Sequence, residues 1–259
     1  MENTAIIILG HSHVGALHDA LRDVAPYDSQ QNGAHFFIHD VWANRTDYAM
    51  PDGNGGIKFN ADVLAAIDRV VPEGMSRRYI SVMGGNGHIV LSLEKHSRPF
   101  DFVLKEDTSL PNDSDAEILP MAYVKKILTP FIMPYVWQMI SFRMAVGTTI
   151  TQLETCPPYA DDDYVRSHLG AYITNTQNII SGPLRKKMWR LHSAMVNEIA
   201  SASGIEFLNV PTDGLDKQGY MHRNGYGPDA THANAWYGNL VVQQLAQSLP
   251  IASYTRFSE

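Results

Sequence analysis

Residues 5–9 of this 259-residue chain read Ala5-Ile6-Ile7-Ile8-Leu9, with no polar position among them. Successive side chains of a strand point to opposite faces, so a strand built from this run is apolar on both. It has to be covered on both sides, as in the parallel sheets of α/β proteins. Gly10 ends the run, and Gly15-Ala16-Leu17-His18-Asp19-Ala20-Leu21 reads as the start of a helix. Ser12 then stands at a sharp strand-to-helix turn on the carboxyl edge of the sheet, where open α/β folds hold their ligands. An exposed hydroxyl near backbone N–H groups suits a nucleophile. The plainer role for the same serine is to cap the helix that follows.

The flanking chain supplies the rest of such a sheet. A second strand is expected over 35–42, then a loop over 50–56 that carries Pro51, Gly53, Asn54, Gly55 and Gly56. Asn60 is placed to cap a helix over 61–71, in which Val63, Leu64, Ile67, Val70 and Val71 recur at helical spacing before Pro72 and Gly74 stop it. A third strand over 79–83 runs into Gly84-Gly85-Asn86-Gly87. Strand, helix, strand, helix, strand is the order of a parallel sheet with covering helices. Short strands are expected at 89–93 and 100–104, a polar loop at 108–115, and an apolar helical stretch at 121–146 broken by Pro130 and Pro134. Core strands at 148–153 and 205–210, a mostly helical stretch at 161–203, a loop at 211–228 and a last helix at 233–249 complete the reading. It predicts one domain over 1–259 with an insertion at about 88–146.

Composition narrows the partners. The net charge of −7 argues against nucleic acid or an anionic membrane, both of which need a basic face. One cysteine, Cys156, excludes an internal disulfide and gives no reason for a zinc site. The first strand begins close to Met1, which leads to the expectation of no secretory signal and a cytoplasmic location. A membrane span needs about 20 apolar residues. The run within 121–146 is shorter and bracketed by Lys125, Lys126 and Arg143. Apolar nearly all round, it is expected either to cover the site beside Ser12, with Phe131 and Trp137 as wall residues, or to form a homodimer contact, the plainer alternative being an ordinary core helix.

Two further stretches carry chemistry. In Asp229-Ala230-Thr231-His232, an aspartate three residues before a histidine can accept the imidazole Nδ1–H and leave Nε2 free as a base. Asp229 or Thr231 capping the last helix is the alternative. Asn86 follows the third strand and therefore shares the sheet edge of Ser12. Its NH₂ is a neutral donor suited to an oxyanion that exists only in the transition state, although a turn asparagine between glycines is common.

In this order, Gly10-His11-Ser12, Gly84-Gly85-Asn86 and Asp229-Ala230-Thr231-His232 resemble the sequence blocks of the SGNH, or GDSL-type, hydrolases. The stretch from Thr231 to Asn239 also looks like the family's last block, and the likeness covers residues 1–87 and 205–249. It implies a three-layer α/β/α sandwich of flavodoxin-like type with a central, mainly parallel five-stranded sheet. It also implies ester hydrolysis or acyl transfer without metal or cofactor. By this resemblance Ser12 is the nucleophile, His232 the base, Asp229 the residue that orients it, and Asn86 an oxyanion donor beside the Ser12 N–H. Gly85, His11 and His13 are expected at the oxyanion and substrate side. His11 stands where the family has aspartate, and Gly87 and His88 follow Asn86 where it has aspartate. The glycine of the second block has no unique match; Gly53, Gly55, Gly56 and the backbone at Ala43 or Asn44 are candidates. The substrate is expected to be a small or saccharide ester, such as an O-acetylated sugar or a short-chain ester.

Two other classes compete. His11, His13, His88 and Asp229 include metal-ligating types and allow a metal-dependent phosphoesterase, though the order of the blocks is wrong for one and no early carboxylate-rich loop is present to bridge two metals. His11 in place of the usual acid also allows an SGNH-like protein that binds an acylated ligand without turning it over.

Overall fold

The computed structural model describes residues 3–44, 47–169, 179–247 and 254–257. β1 (Thr4–Gly10) leads through a 3-10 turn at Ser12–Val14 into α1 (Gly15–Ala20). β2 (Ala34–Asp40) is followed directly by a helical turn, α2 (Val41–Asn44), so Val41 and Trp42 leave the expected second strand. β3 (Ala49–Pro51) and β4 (Ile57–Phe59) form an antiparallel hairpin around the expected loop. α3 (Ala61–Val70) starts as expected, with the Asn60 side chain accepting the Asp62 N–H at 3.0 Å. β5 (Ser76–Val82) completes the first half.

Between β5 and the next strand of the main sheet lie β6 (Phe100–Asp101), which pairs in parallel with β7 (Glu117–Ile118), and then α4 (Met121–Val146). Residues 89–91 form a 3-10 turn, not the strand expected at 89–93. α4 also departs from expectation, because it continues through Pro130 and Pro134. Each proline leaves the carbonyl four residues earlier without its N–H partner. Both prolines, and Lys126 before them, are exposed, so water can satisfy those carbonyls and the helix need not break.

β8 (Ile150–Leu153), α5 (Asp162–Ser167), α6 (Gly182–Ala202), β9 (Glu206–Leu208), α7 (Ala235–Gln247) and β10 (Tyr254–Arg256) follow. Of the helical stretch expected over 161–203, residues 170–178 lie outside the described residues, as do residues 248–249 of the expected last helix.

The main sheet has the order β10-β2-β1-β5-β8-β9, with every pairing parallel. It therefore has six strands rather than five. β10 adds an edge beyond β2 through three residues whose pattern, Tyr254-Thr255-Arg256, is too short to read as a strand. Without β10, the order is the 2-1-3-4-5 winding of flavodoxin-like folds. β1 shows why the opening run is unbroken. Ala5, Ile7 and Leu9 pack in a core with α3, α4 and α6, while Ile6 and Ile8 pack in a second core with α1, α5 and α7. Each of the isoleucine and leucine side chains, fully buried, stabilises the fold by roughly 1.5–3 kcal/mol. Three layers, α/β/α, result.

Candidate active site

The strand order reverses at β1, and its neighbours there are β2 and β5. Gly10 lies level with Asp40 on one side and Val82 on the other. The Ser12 turn and the Gly84–Gly87 loop therefore leave the sheet side by side, at the switch point where such sheets open a crevice. Tyr48, buried, ties the base of this crevice together. Its hydroxyl accepts the Gly10 N–H at 2.9 Å, and it lies 2.9 Å from the Gly10 carbonyl and 2.7 Å from the His39 carbonyl. The ends of β1 and β2 are thus pinned immediately before Ser12. On the other side, Gln152 donates to the Met83 carbonyl at 3.0 Å and accepts from Ser81 Oγ at 2.5 Å, which fixes the start of the Asn86 loop.

His232 reaches this edge from the far end of the chain. Its Nε2 lies 2.7 Å from Ser12 Oγ, and its Nδ1 lies 2.7 Å from Asp229 Oδ2. With Nδ1–H donating to the carboxylate, Nε2 is the acceptor for the Ser12 hydroxyl proton. The other Asp229 oxygen accepts the Thr231 N–H, the Thr231 hydroxyl and the His232 N–H at 2.8–2.9 Å. Burial would raise the Asp229 carboxyl, but these bonds and that from His232 outweigh it and hold the group well below the usual carboxylate range. Neither Asp229 nor Thr231 caps α7. Asn234 does so, accepting the Trp236 N–H at 2.9 Å while its amide donates to the Tyr226 and Asn224 carbonyls. Tyr159 steadies the segment by donating to the His232 carbonyl and accepting the Gly227 N–H.

Asn86 Oδ1 is engaged by His13 Nε2 at 2.7 Å, so its NH₂ is the group left for a ligand. The N–H of Ser12 sits at the open start of the 3-10 turn, where helical N–H groups have no partner within the helix. His11 stands edge-on between Tyr48 and Tyr135, with ring centroids 5.7 and 5.3 Å away. Burial pushes its imidazole down against a smaller upward pull from Asp40. These groups surround a cavity of about 510 Å³ lined by His11, Ser12, His13, Val41, Asp47, Tyr48, Gly85, Asn86, Tyr135 and Gln138. That volume is of the size that holds a small ligand.

All seven residues singled out from the sequence meet at this edge. Other expectations change. α4 does wall the cavity, but through Tyr135 and Gln138. Phe131 and Trp137 are exposed and outside the lining, as are Tyr123 and Met144 elsewhere on the helix. Gly53, Gly55 and Gly56 close the β3–β4 turn around Asp52, and neither they nor Asn44 line the cavity; Val41 does. Tyr48, Tyr135, Asp47 and Gln138 were not anticipated. Tyr135 and Gln138 share a helix face at i, i+3, a signal that existed in the sequence, whereas nothing local marks Tyr48. Among the described residues no three His, Cys, Asp or Glu side chains converge as metal ligands: His11 packs with tyrosines and His88 with His192. No helix among them is long and apolar enough to cross a membrane.

Neither a protein-family model nor a curated protein matches the sequence. Solved structures do resemble the chain. A candidate arylesterase from Agrobacterium tumefaciens is 12% identical, with 96% of this chain and 98% of that one covered and a TM-score of 0.45. A GDSL-like lipase from Bacteroides thetaiotaomicron is 11% identical over 95% and 89% of the two chains, at 0.42. A carbohydrate acetylesterase from Sinorhizobium meliloti is 12% identical over 94% and 97%, at 0.40.

Proposed function

We propose that the protein is an SGNH-type serine esterase that hydrolyses a small ester, or transfers its acyl group, through an acyl-enzyme on Ser12. The observation that carries this reading is the continuous Asp229–His232–Ser12 chain, two contacts of 2.7 Å, at the mouth of a cavity that also holds Asn86. Ser12 Oγ attacks the ester carbonyl carbon while its proton passes to His232 Nε2, and Asp229 stabilises the imidazolium that forms. The carbonyl oxygen becomes an oxyanion facing the Asn86 NH₂ and the Ser12 N–H. Collapse expels the alcohol, which takes the proton from His232. Water then attacks the acyl-enzyme with His232 again as base, and the acid leaves.

The polar groups on the cavity wall, Asp47, Tyr135 and Gln138, favour an alcohol portion rich in hydroxyls, such as an acetylated sugar. The test is a panel of short-chain aryl esters and O-acetylated sugars, run on the wild type and Ser12→Ala. Turnover by the wild type that disappears in Ser12→Ala supports the reading. Full activity in Ser12→Ala, or no turnover of any ester by folded wild type, overturns it.

A further inference from the structure

Ser12 and His232 leave one neighbour unexplained. His13 points along the sheet edge rather than at the nucleophile. Its Nε2 is 2.7 Å from Asn86 Oδ1, and its Nδ1 is 3.6 Å from Cys156 Sγ. Its ring packs so closely on Gly85 that a Cβ at that position would meet His13 Cδ2 at 2.2 Å. Glycine is required at 85 because the imidazole occupies the side-chain space. Resting on the esterase reading above, we propose that His13 is a positioning residue for Asn86, donating Nε2–H to Oδ1 so that the carboxamide presents its NH₂ to the oxyanion.

The proton count supports this arrangement. Burial first, and the neighbouring His232 second, push His13 down to about 4, so it is neutral at ordinary pH and carries one N–H. Burial likewise pushes the Cys156 thiol up to about 12, so it remains S–H and can donate to Nδ1 or to the Thr231 carbonyl 3.3 Å away. A carboxamide oxygen can only accept, so the 2.7 Å contact with Asn86 Oδ1 puts the imidazole proton on Nε2. Two hydrogen-bonded chains then converge on the reacting carbonyl. Asp229–His232–Ser12 delivers the nucleophile, and Cys156–His13–Asn86 orients the oxyanion donor. Neutrality matters, because the rings of His13 and His232 are 4.7 Å apart and a cation at 13 would oppose protonation of the base.

The experiment measures kcat and KM on an aryl acetate for the wild type, His13→Phe, His13→Gln, Asn86→Ala and the His13→Phe/Asn86→Ala double variant. Asn86→Ala is expected to lower kcat about 10²–10³-fold. His13→Phe keeps the ring but removes the donor and is expected to lower kcat about tenfold or more with KM little changed. His13→Gln, which can donate again, recovers most of that loss. The double variant is no slower than Asn86→Ala, because His13 acts through Asn86. Wild-type kcat in His13→Phe, or losses that multiply in full in the double variant, would overturn the proposal. A shifted acid limb in the pH profile of His13→Phe would also overturn it, by locating the effect on His232. Should His13→Phe not fold, the imidazole nitrogen NMR spectrum of the wild type decides: a His13 proton on Nε2 supports the proposal, and one on Nδ1 overturns it. Phosphonate labelling of Ser12 in the folded His13 and Asn86 variants separates the two claims. If labelling at Ser12 persists while His13 variants behave as wild type, this inference alone fails.

Discussion

Lys187 and Asp101 form an ion pair of 2.9 Å in which both side chains are 1% exposed or less, whereas Asp229 and His232 form a 2.7 Å pair that is 37% and 23% exposed. At the first, nothing is left over. Lys187 Nζ also reaches the Pro111 carbonyl and Asn112 Oδ1, and Asp101 accepts the N–H groups of Phe102 and Asp113. This cluster clamps the stretch from Asp101 to Asp113 onto α6. At the second, the carboxylate is equally well satisfied, but the chain of bonds ends in a hydroxyl that faces a cavity. Buried charge by itself therefore marks structure as readily as chemistry. What separates the two regions is a polar group with bonding capacity left, aimed at open space.

The comparison can be broken most forcefully at Asp229. Asp229→Asn keeps an oxygen for the Thr231 and His232 N–H groups but no longer fixes the base tautomer, and should lower kcat about 10⁴-fold with the melting temperature nearly unchanged. A loss below tenfold in ester kinetics would make this aspartate as structural as Asp101. Lys187→Met is the converse. It strands the Asp101 carboxylate and should cost about 3–5 kcal/mol in urea unfolding while leaving kcat per folded molecule unchanged. A kcat that falls with stability intact would erase the distinction.

Acid should act on the histidine-rich side. Burial, with the neighbouring imidazoles adding to it for His13 and His88, holds His13 and His192 down to about 4 and His88 well below its ordinary value. The unfolded chain then binds more protons than the folded one between about 6.5 and 4, so stability falls as pH drops through that window. Denaturant midpoints should decline from pH 7 to pH 4.5, and His192→Leu should flatten the decline. An unchanged slope would contradict it. The smallest effect is expected at Tyr48→Phe, which leaves the Gly10 N–H without its partner. It should cost about 1–3 kcal/mol in unfolding and lower kcat by loosening the Ser12 turn.

Much of the site could be read from the sequence because its residues sit where local rules apply. A buried parallel strand has to end at Gly10, a second at the 84–87 glycines, and an Asp-x-x-His turn can bond within itself. These rules place Ser12 and Asn86 at strand ends, and His232 beside its own aspartate, without reference to the rest of the fold. Tyr48 and Tyr135 escape such reasoning because the roles of both depend on the distant Gly10–His11 turn, 38 positions from Tyr48 in the case of Gly10. The unbroken α4 was missed for another reason. Helix propensity counts two prolines as breaks, but their cost depends on whether the freed carbonyls meet water. β10 is visible only through its pairing with β2.

The most direct test of the account is the intact mass of the protein after reaction with a fluorophosphonate, followed by peptide mapping. A single stoichiometric adduct on Ser12, absent from Ser12→Ala and slowed in Asp229→Asn, is the predicted result. An adduct on any other residue, or Ser12→Ala that still turns over esters at the wild-type rate, would contradict it.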